Sequence, residues 1–178
     1  LLGEDGEFQG YLGAAYDVTA RKAADSALAY RDRVLAAITR SAVELVGAQS
    51  VDQAMPGALE LIGKALDADR LLLVEAVGAG ERTEPRLLHS WQSAGAPSRV
   101  DRELLASPAI NSSGVRRWME RLRKGELVVA SMAAANGPIS AMLRTARAKS
   151  ILFVPIMLEG RWWGSLSVDD CRQPRAWV

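Results

Sequence analysis

This chain of 178 residues holds one cysteine, one histidine, two phenylalanines and three tyrosines. One cysteine excludes an internal disulfide and any cysteine-rich metal knuckle. With His89 as the only histidine, a Ser-His-Asp or Cys-His relay would have to run through that one residue. An excess of either charge is also missing. There are 22 Lys and Arg against 21 Asp and Glu, a net charge of +1. That removes the electrostatic case for nucleic acid or an anionic membrane surface as partner. The longest apolar runs, such as 151–158, fall well short of a membrane span. The first residues, LLGEDGEF, have neither the basic start nor the apolar stretch of a secretory signal. A cytoplasmic protein, or the cytoplasmic portion of a larger sensor, is expected. The chain does not begin with Met, and RQPRAWV stops where a helix could start. A fragment lacking its C-terminal helix is therefore expected.

What is present suits an ordinary globular domain with an appendage. Hydrophobic residues make up 49% and charged residues 24%. Residues 1–17, punctuated by Gly3, Gly6 and Gly10, read as strand-like and are too few to bury a core alone. Asp17 or Thr19 then caps a helix. From Arg21 to Val46 there is neither Gly nor Pro. Leu28, Leu35 and Ala42 recur at seven residues, with Arg31, Ile38 and Leu45 as the companion row. That is a short, imperfect a/d seam. The helix would run about 40 Å at ~1.5 Å per residue, longer than one small domain needs. A dimer stalk is expected, with Leu28, Leu35, Ile38, Ala42 and Leu45 at the homodimer contact.

Ser50 is placed to cap a second helix. Its face carries Val51, Met55, Ala58, Leu59, Ile62, Ala65 and Leu66 at helical spacing. Strands are expected over 71–77 and 86–92, joined by a Gly-rich loop. Helical patches follow at 101–105 and 112–124, the latter closed by Gly125. A strand over 126–131, a helix from Pro138 to about Ala148, and a hairpin turning at Glu159-Gly160 complete the order. The pattern predicts an α+β fold, with an antiparallel sheet of five or six strands and helices on its faces.

The hairpin SILFVPIMLEGRWWGSLSVDDC carries Val-Pro-Ile on one strand and Trp163-Gly164 on the other, ending at Asp169-Asp170-Cys171. It resembles the last hairpin of a GAF domain, a PAS-related small-molecule sensing module of bacterial signalling proteins. Leu66-Asp67-Ala68-Asp69-Arg70, leading into the first strand, and Trp118 followed by Gly125-Glu126-Leu127-Val128-Val129 resemble two further GAF passages. They lie in the same order and spacing. Residues 47–178 are accordingly similar to a GAF domain. Asp5-Gly6-Glu7-Phe8, Gly10-Tyr11, Gly13 and Asp17-Val18-Thr19 resemble the end of a PAS domain, over residues 1–19. Residues 20–46 then form its linker and signalling helix. This arrangement implies a parent histidine kinase or diguanylate cyclase.

The residues give no case for catalysis in this fragment. His89 reads as a mid-strand residue facing solvent or a pocket wall. Cys171 follows two acids, which raise a thiol pKa rather than activate it. GAF-like methionine sulfoxide reductases use several cysteines. Covalent bilin is not expected, because Cys171 is followed by Arg172 and lies in the wrong element. Asn136-Gly137-Pro138-Ile139 does not reproduce the cyclic-nucleotide constellation of GAF domains. Gly78-Ala79-Gly80 forms no phosphate cradle, and no metal site is expected. Asp169 and Asp170 read as exposed strand-end acids.

A ligand pocket is expected between the sheet and the helical insert. Trp91 and Trp118 border it, with Phe153 and Trp163. His89, Ser131 and Ser150 supply its polar groups. The resemblance implies Trp163 inside and Trp162 outside. The main expectation is a sensory GAF domain with an unidentified small ligand. A ligand-free dimerisation module and a small GAF-fold enzyme are the alternatives.

Overall fold

The computed structural model describes residues 7, 13, 15–78, 83–96 and 112–177. The chain divides into two compact units, 1–33 and 34–178. In the first, Asp17 Oδ1 accepts from the Thr19 backbone N–H at 2.8 Å, at the start of α1 (Thr19–Gly47). That bond holds the Asp17 carboxyl below its usual range. Most of the strand-like reading of 1–17, and the helical patch at 101–105, lie outside the described residues.

In the second unit, α1 continues to Gly47. Val34, Ala37, Ser41 and Leu45 are its less exposed positions there, at helical spacing. Ser41 is buried, and its Oγ donates to the Ala58 carbonyl on α2 (Val51–Leu66) at 3.3 Å. The docked stripe is thus offset from the expected dimer seam. Leu28, Leu35, Ile38 and Ala42 are exposed, but Leu45 is half-buried on the docked side. Leu45 therefore leaves the seam. Ser50 occupies the N-cap of α2 in an extended conformation without a side-chain cap bond. Val51 is exposed, while Gly63 joins the buried face. Asp67, in the left-handed region at φ 50°, ends the helix as Ala68 N–H bonds back to the Gly63 carbonyl.

Five strands form one antiparallel sheet among the described residues: β1 (Arg70–Val77), β2 (Glu84–Gln92), β3 (Val128–Ser131), β4 (Ser150–Leu158) and β5 (Arg161–Asp170). The spatial order is β2-β1-β5-β4-β3. Consecutive hairpins alone would not place β5 beside β1. The segment carrying α3 (Ser113–Arg123), β3 and α4 (Gly137–Thr145) crosses over, and β5 returns to the centre. The β4–β5 turn has positive φ at both Glu159 and Gly160, the primed form that matches strand twist.

Pleating gives the sheet two faces. One carries Leu71, Leu152, Leu166 and Val168, with Trp91, and packs with Leu59 and Ile62 of α2. The other carries Ala130 and Ile151 and packs with Val115 of α3 and Met142 and Leu143 of α4. Ser112 caps α3 by accepting from Val115 N–H, and Gly125 at φ 77° closes its end. The candidate site lies on this second face.

Candidate functional site

A cavity of about 100 Å³ lies between the sheet and the two crossover helices. Leu72 and Val74 of β1, Ile151 and Phe153 of β4, and Ser165 and Ser167 of β5 form its floor. Helix α3 contributes Val115, Trp118, Met119 and Leu122, and α4 contributes Met142 and the adjoining Ala146. The rings of Trp118 and Phe153 meet at 5.7 Å, tilted by 49°. Glu75, Ala76, Thr83, Pro85, Trp162 and Asp169 complete the described lining. Arg123, the last residue of α3, ties two of these together. Its guanidinium donates to Thr83 Oγ1 at 2.9 Å and stands 5.5 Å from the Trp162 ring centroid.

Of the expected pocket residues, Trp118 and Phe153 line the cavity. The other expected pocket residues are elsewhere. Trp91 lies on the opposite face against α2, where Gly63 makes room for it. A Cβ on Gly63 would fall 2.1 Å from the Trp91 ring. His89 shares that face, and its Nε2 is 3.1 Å from Asp52 Oδ1 of α2. Ser150 also faces that way and is fully buried. Its Oγ accepts from the Arg175 backbone N–H at 3.0 Å. Ser131 Oγ accepts from Ala133 N–H in the turn after β3. Trp163 is not in the lining; Trp162 is. The exchange follows from a bulge. Ile156 pairs with Gly164 and Met157 with Trp162, so Trp163 is the extra residue and the alternation shifts by one. A bulge leaves no clear mark in sequence.

At one edge of the cavity lies a buried polar cluster that includes Asp169 and Asp170, which the sequence reading placed at an exposed strand end. Asp69, Arg70, Asp169 and Asp170 are each 1% exposed. Arg70 donates to Asp169 Oδ2 from Nε at 3.1 Å and from Nη2 at 2.8 Å. Its Nη2 also donates to the Ala146 carbonyl at 2.7 Å. Ser167 Oγ donates to Asp169 Oδ1 at 2.6 Å. Burial pushes the Asp169 carboxyl above its usual range, and the Arg70 charge opposes that. Asp69 Oδ2 accepts from the backbone N–H groups of Cys171 and Arg172, and Asp170 Oδ1 from those of Arg172 and Gln173. The acids are buried because the chain leaving β5 supplies donors to them. Among the described residues no group of His, Cys, Asp and Glu is arranged to hold a metal ion.

Cys171 is buried, and burial pushes its thiol from the usual 9.0 up to about 11. The native protein is therefore expected to resist iodoacetamide at pH 8 and to react at the full rate only after unfolding. A native rate equal to the denatured rate would contradict the burial. The unfolded thiol ionises first, so this contribution to stability is intact below about pH 9 and is lost as pH rises towards about 11.

The GAF domain profile matches residues 31–178. The chain belongs to the GAF family. It is similar to the methanogenesis regulatory histidine kinase FilI of Methanothrix harundinacea, with 28% identity over 177 residues. That match covers 99% of this chain and 20% of the kinase, so the chain spans about a fifth of that relative's length. The GAF fold is shared with the phycocyanobilin-bound GAF domain of a cyanobacterial phytochrome. The TM-score is 0.62 at 12% identity, covering 80% of this chain and 82% of that one. For the cyanobacteriochrome TePixJ GAF domain the TM-score is 0.55 at 18% identity, over 75% and 81%. The bilin of the phytochrome neighbour raises a question of fit. Cys171 sits at the end of β5 outside the cavity lining, with its backbone held by Asp69. No Lys or Arg lines the cavity among the described residues to meet a bilin's carboxylates. A thioether-linked bilin does not fit this GAF domain.

Proposed function

We propose that this GAF domain is the sensory module of a cytoplasmic signalling protein, a histidine kinase or diguanylate cyclase. It has no catalytic role of its own. It binds a small molecule in the cavity between the sheet and α3/α4, and its state passes along α1, which pairs with α1 of a second copy. Residues 1–19 are the end of a preceding PAS domain. The observation that carries this reading is the cavity. It is walled by aromatic side chains and lies between two helices and the central strands of a fold whose family includes sensor kinases. A ligand there alters how α3 and α4 pack on the sheet. A useful coupling is about 1–3 kcal/mol, within reach of a few contacts.

The relay rests on α1, whose Leu35 and Ile38 are 49% and 48% exposed while the adjacent stripe is docked. Leu35→Glu combined with Ile38→Glu is expected to convert a dimer into a folded monomer, read by sedimentation equilibrium with circular dichroism. A dimer that survives both charges would remove α1 as the contact. Native mass spectrometry of protein purified from lysate tests the sensor reading. A dimer carrying added small-molecule mass is expected; a dimer without it would favour a dimerisation module.

A further inference from the structure

We infer that the cavity takes a small uncharged aromatic molecule, about one ring in size, and discriminates against anions of the same shape. This rests on the cavity being the sensory site. The walls include side chains that favour a π-face or edge: Trp118, Phe153 and Trp162, together with the thioethers of Met119 and Met142. The volume is about 100 Å³. An engineered apolar cavity of about 150 Å³ holds benzene. A single ring therefore fits if the two thioethers adjust.

Most polar atoms on the described lining are already partnered. Trp162 Nε1 donates to Ser165 Oγ at 3.2 Å. Ser167 Oγ is directed to Asp169, and Asp169 holds Arg70. Glu75 pairs with Arg86. A ligand thus meets few polar groups in search of a partner. Among the described residues the charged ones of the lining are both acids, Glu75 and Asp169. The nearby cations, Arg70 and Arg123, are engaged with Asp169 and with Thr83 and Trp162. A carboxylate or phosphate would lose its water beside two acids, with no Lys or Arg on the described lining to receive it. A neutral ring gives up little hydration on entry.

Three probes of one shape test this: toluene, benzoate and benzylamine, whose ring substituent is neutral, anionic and cationic at neutral pH. The readout is the indole N–H NMR signals of Trp118 and Trp162, with the melting temperature alongside. Toluene is expected to shift both signals, leave that of Trp177 in place, and raise the melting temperature. Benzoate should bind at least about tenfold more weakly, as the burial of an unpaired charge requires. Ala76→Phe, which fills the lining from β1, should abolish the toluene shifts. If that variant does not melt cooperatively, Met119→Trp serves instead. Benzoate or benzylamine binding as tightly as toluene at Trp118 and Trp162 would overturn the ligand class and leave a sensory cavity standing. Toluene shifts that persist in the filled variant would overturn the site. Failure of all three probes would overturn the class, and only an unliganded dimer from lysate as well would remove the sensory reading with it.

Discussion

Arg70→Met is expected to destabilise the GAF fold by about 3–5 kcal/mol. Arg70 is 1% exposed, and its guanidinium meets Asp169 and the carbonyl of Ala146. It joins the start of β1, the end of β5 and the end of α4. Methionine fills much of the space but leaves a buried carboxylate and a carbonyl without their donor. A fall in the urea midpoint at unchanged slope would read this as stability alone. The loss should be largest above neutral pH. Asp169 already has its pKa raised by burial, and removing Arg70 raises it further. Acid then neutralises the orphaned group and shrinks the difference from wild type. Adding Asp169→Asn to Arg70→Met should recover part of the loss, because the carboxylate that Arg70 faced is then no longer charged. A single variant as stable as wild type at pH 8 would show that the pair is not desolvated as described.

Gly164→Val comes next, with an expected loss of about 3 kcal/mol. Gly164 sits opposite Glu75 on one side and Ile156 on the other, in the middle of the sheet. A Cβ there would fall 2.3 Å from the Val74 carbonyl oxygen and 3.1 Å from the Glu75 Cα. The obstacle is backbone in a paired strand, so no side chain can rotate away. The sheet would have to part at β1–β5, beside the Trp162 bulge. The stability loss should therefore come with a shift of the Trp162 indole N–H signal. A folded variant of unchanged midpoint would mean that the strands separate at little cost.

Element order was legible because periodicity and turn chemistry are local. The seven-residue repeat over Leu28–Ala42, the apolar face of α2, Gly125 after α3, and Glu159-Gly160 between β4 and β5 each mark a boundary without reference to the rest of the chain. The cavity was half legible. Trp118 could be placed because α3 covers one sheet face, and Phe153 of β4 lies on that same face. Trp91, His89, Ser150 and Trp163 could not. Which face a strand residue takes depends on its register with strands far away in sequence and on any bulge between them. The shift at Leu73/Val74 and that at Ile156/Met157 are properties of pairs of strands.

The buried acids show the same division. Read alone, Asp169-Asp170 at a strand end looks solvated, and Asp69-Arg70 looks like a helix-to-strand turn. Sequence by itself determined the α+β class, the long first helix, the GAF resemblance and the scarcity of groups for catalysis, since these follow from composition and short-range pattern. Only the tertiary structure decided that Arg70 meets Asp169, 99 positions away, and that Asp69 receives the chain leaving β5. Charges of this kind stay buried only where distant segments bring them matching donors. That match exists in space and is not written in either segment alone.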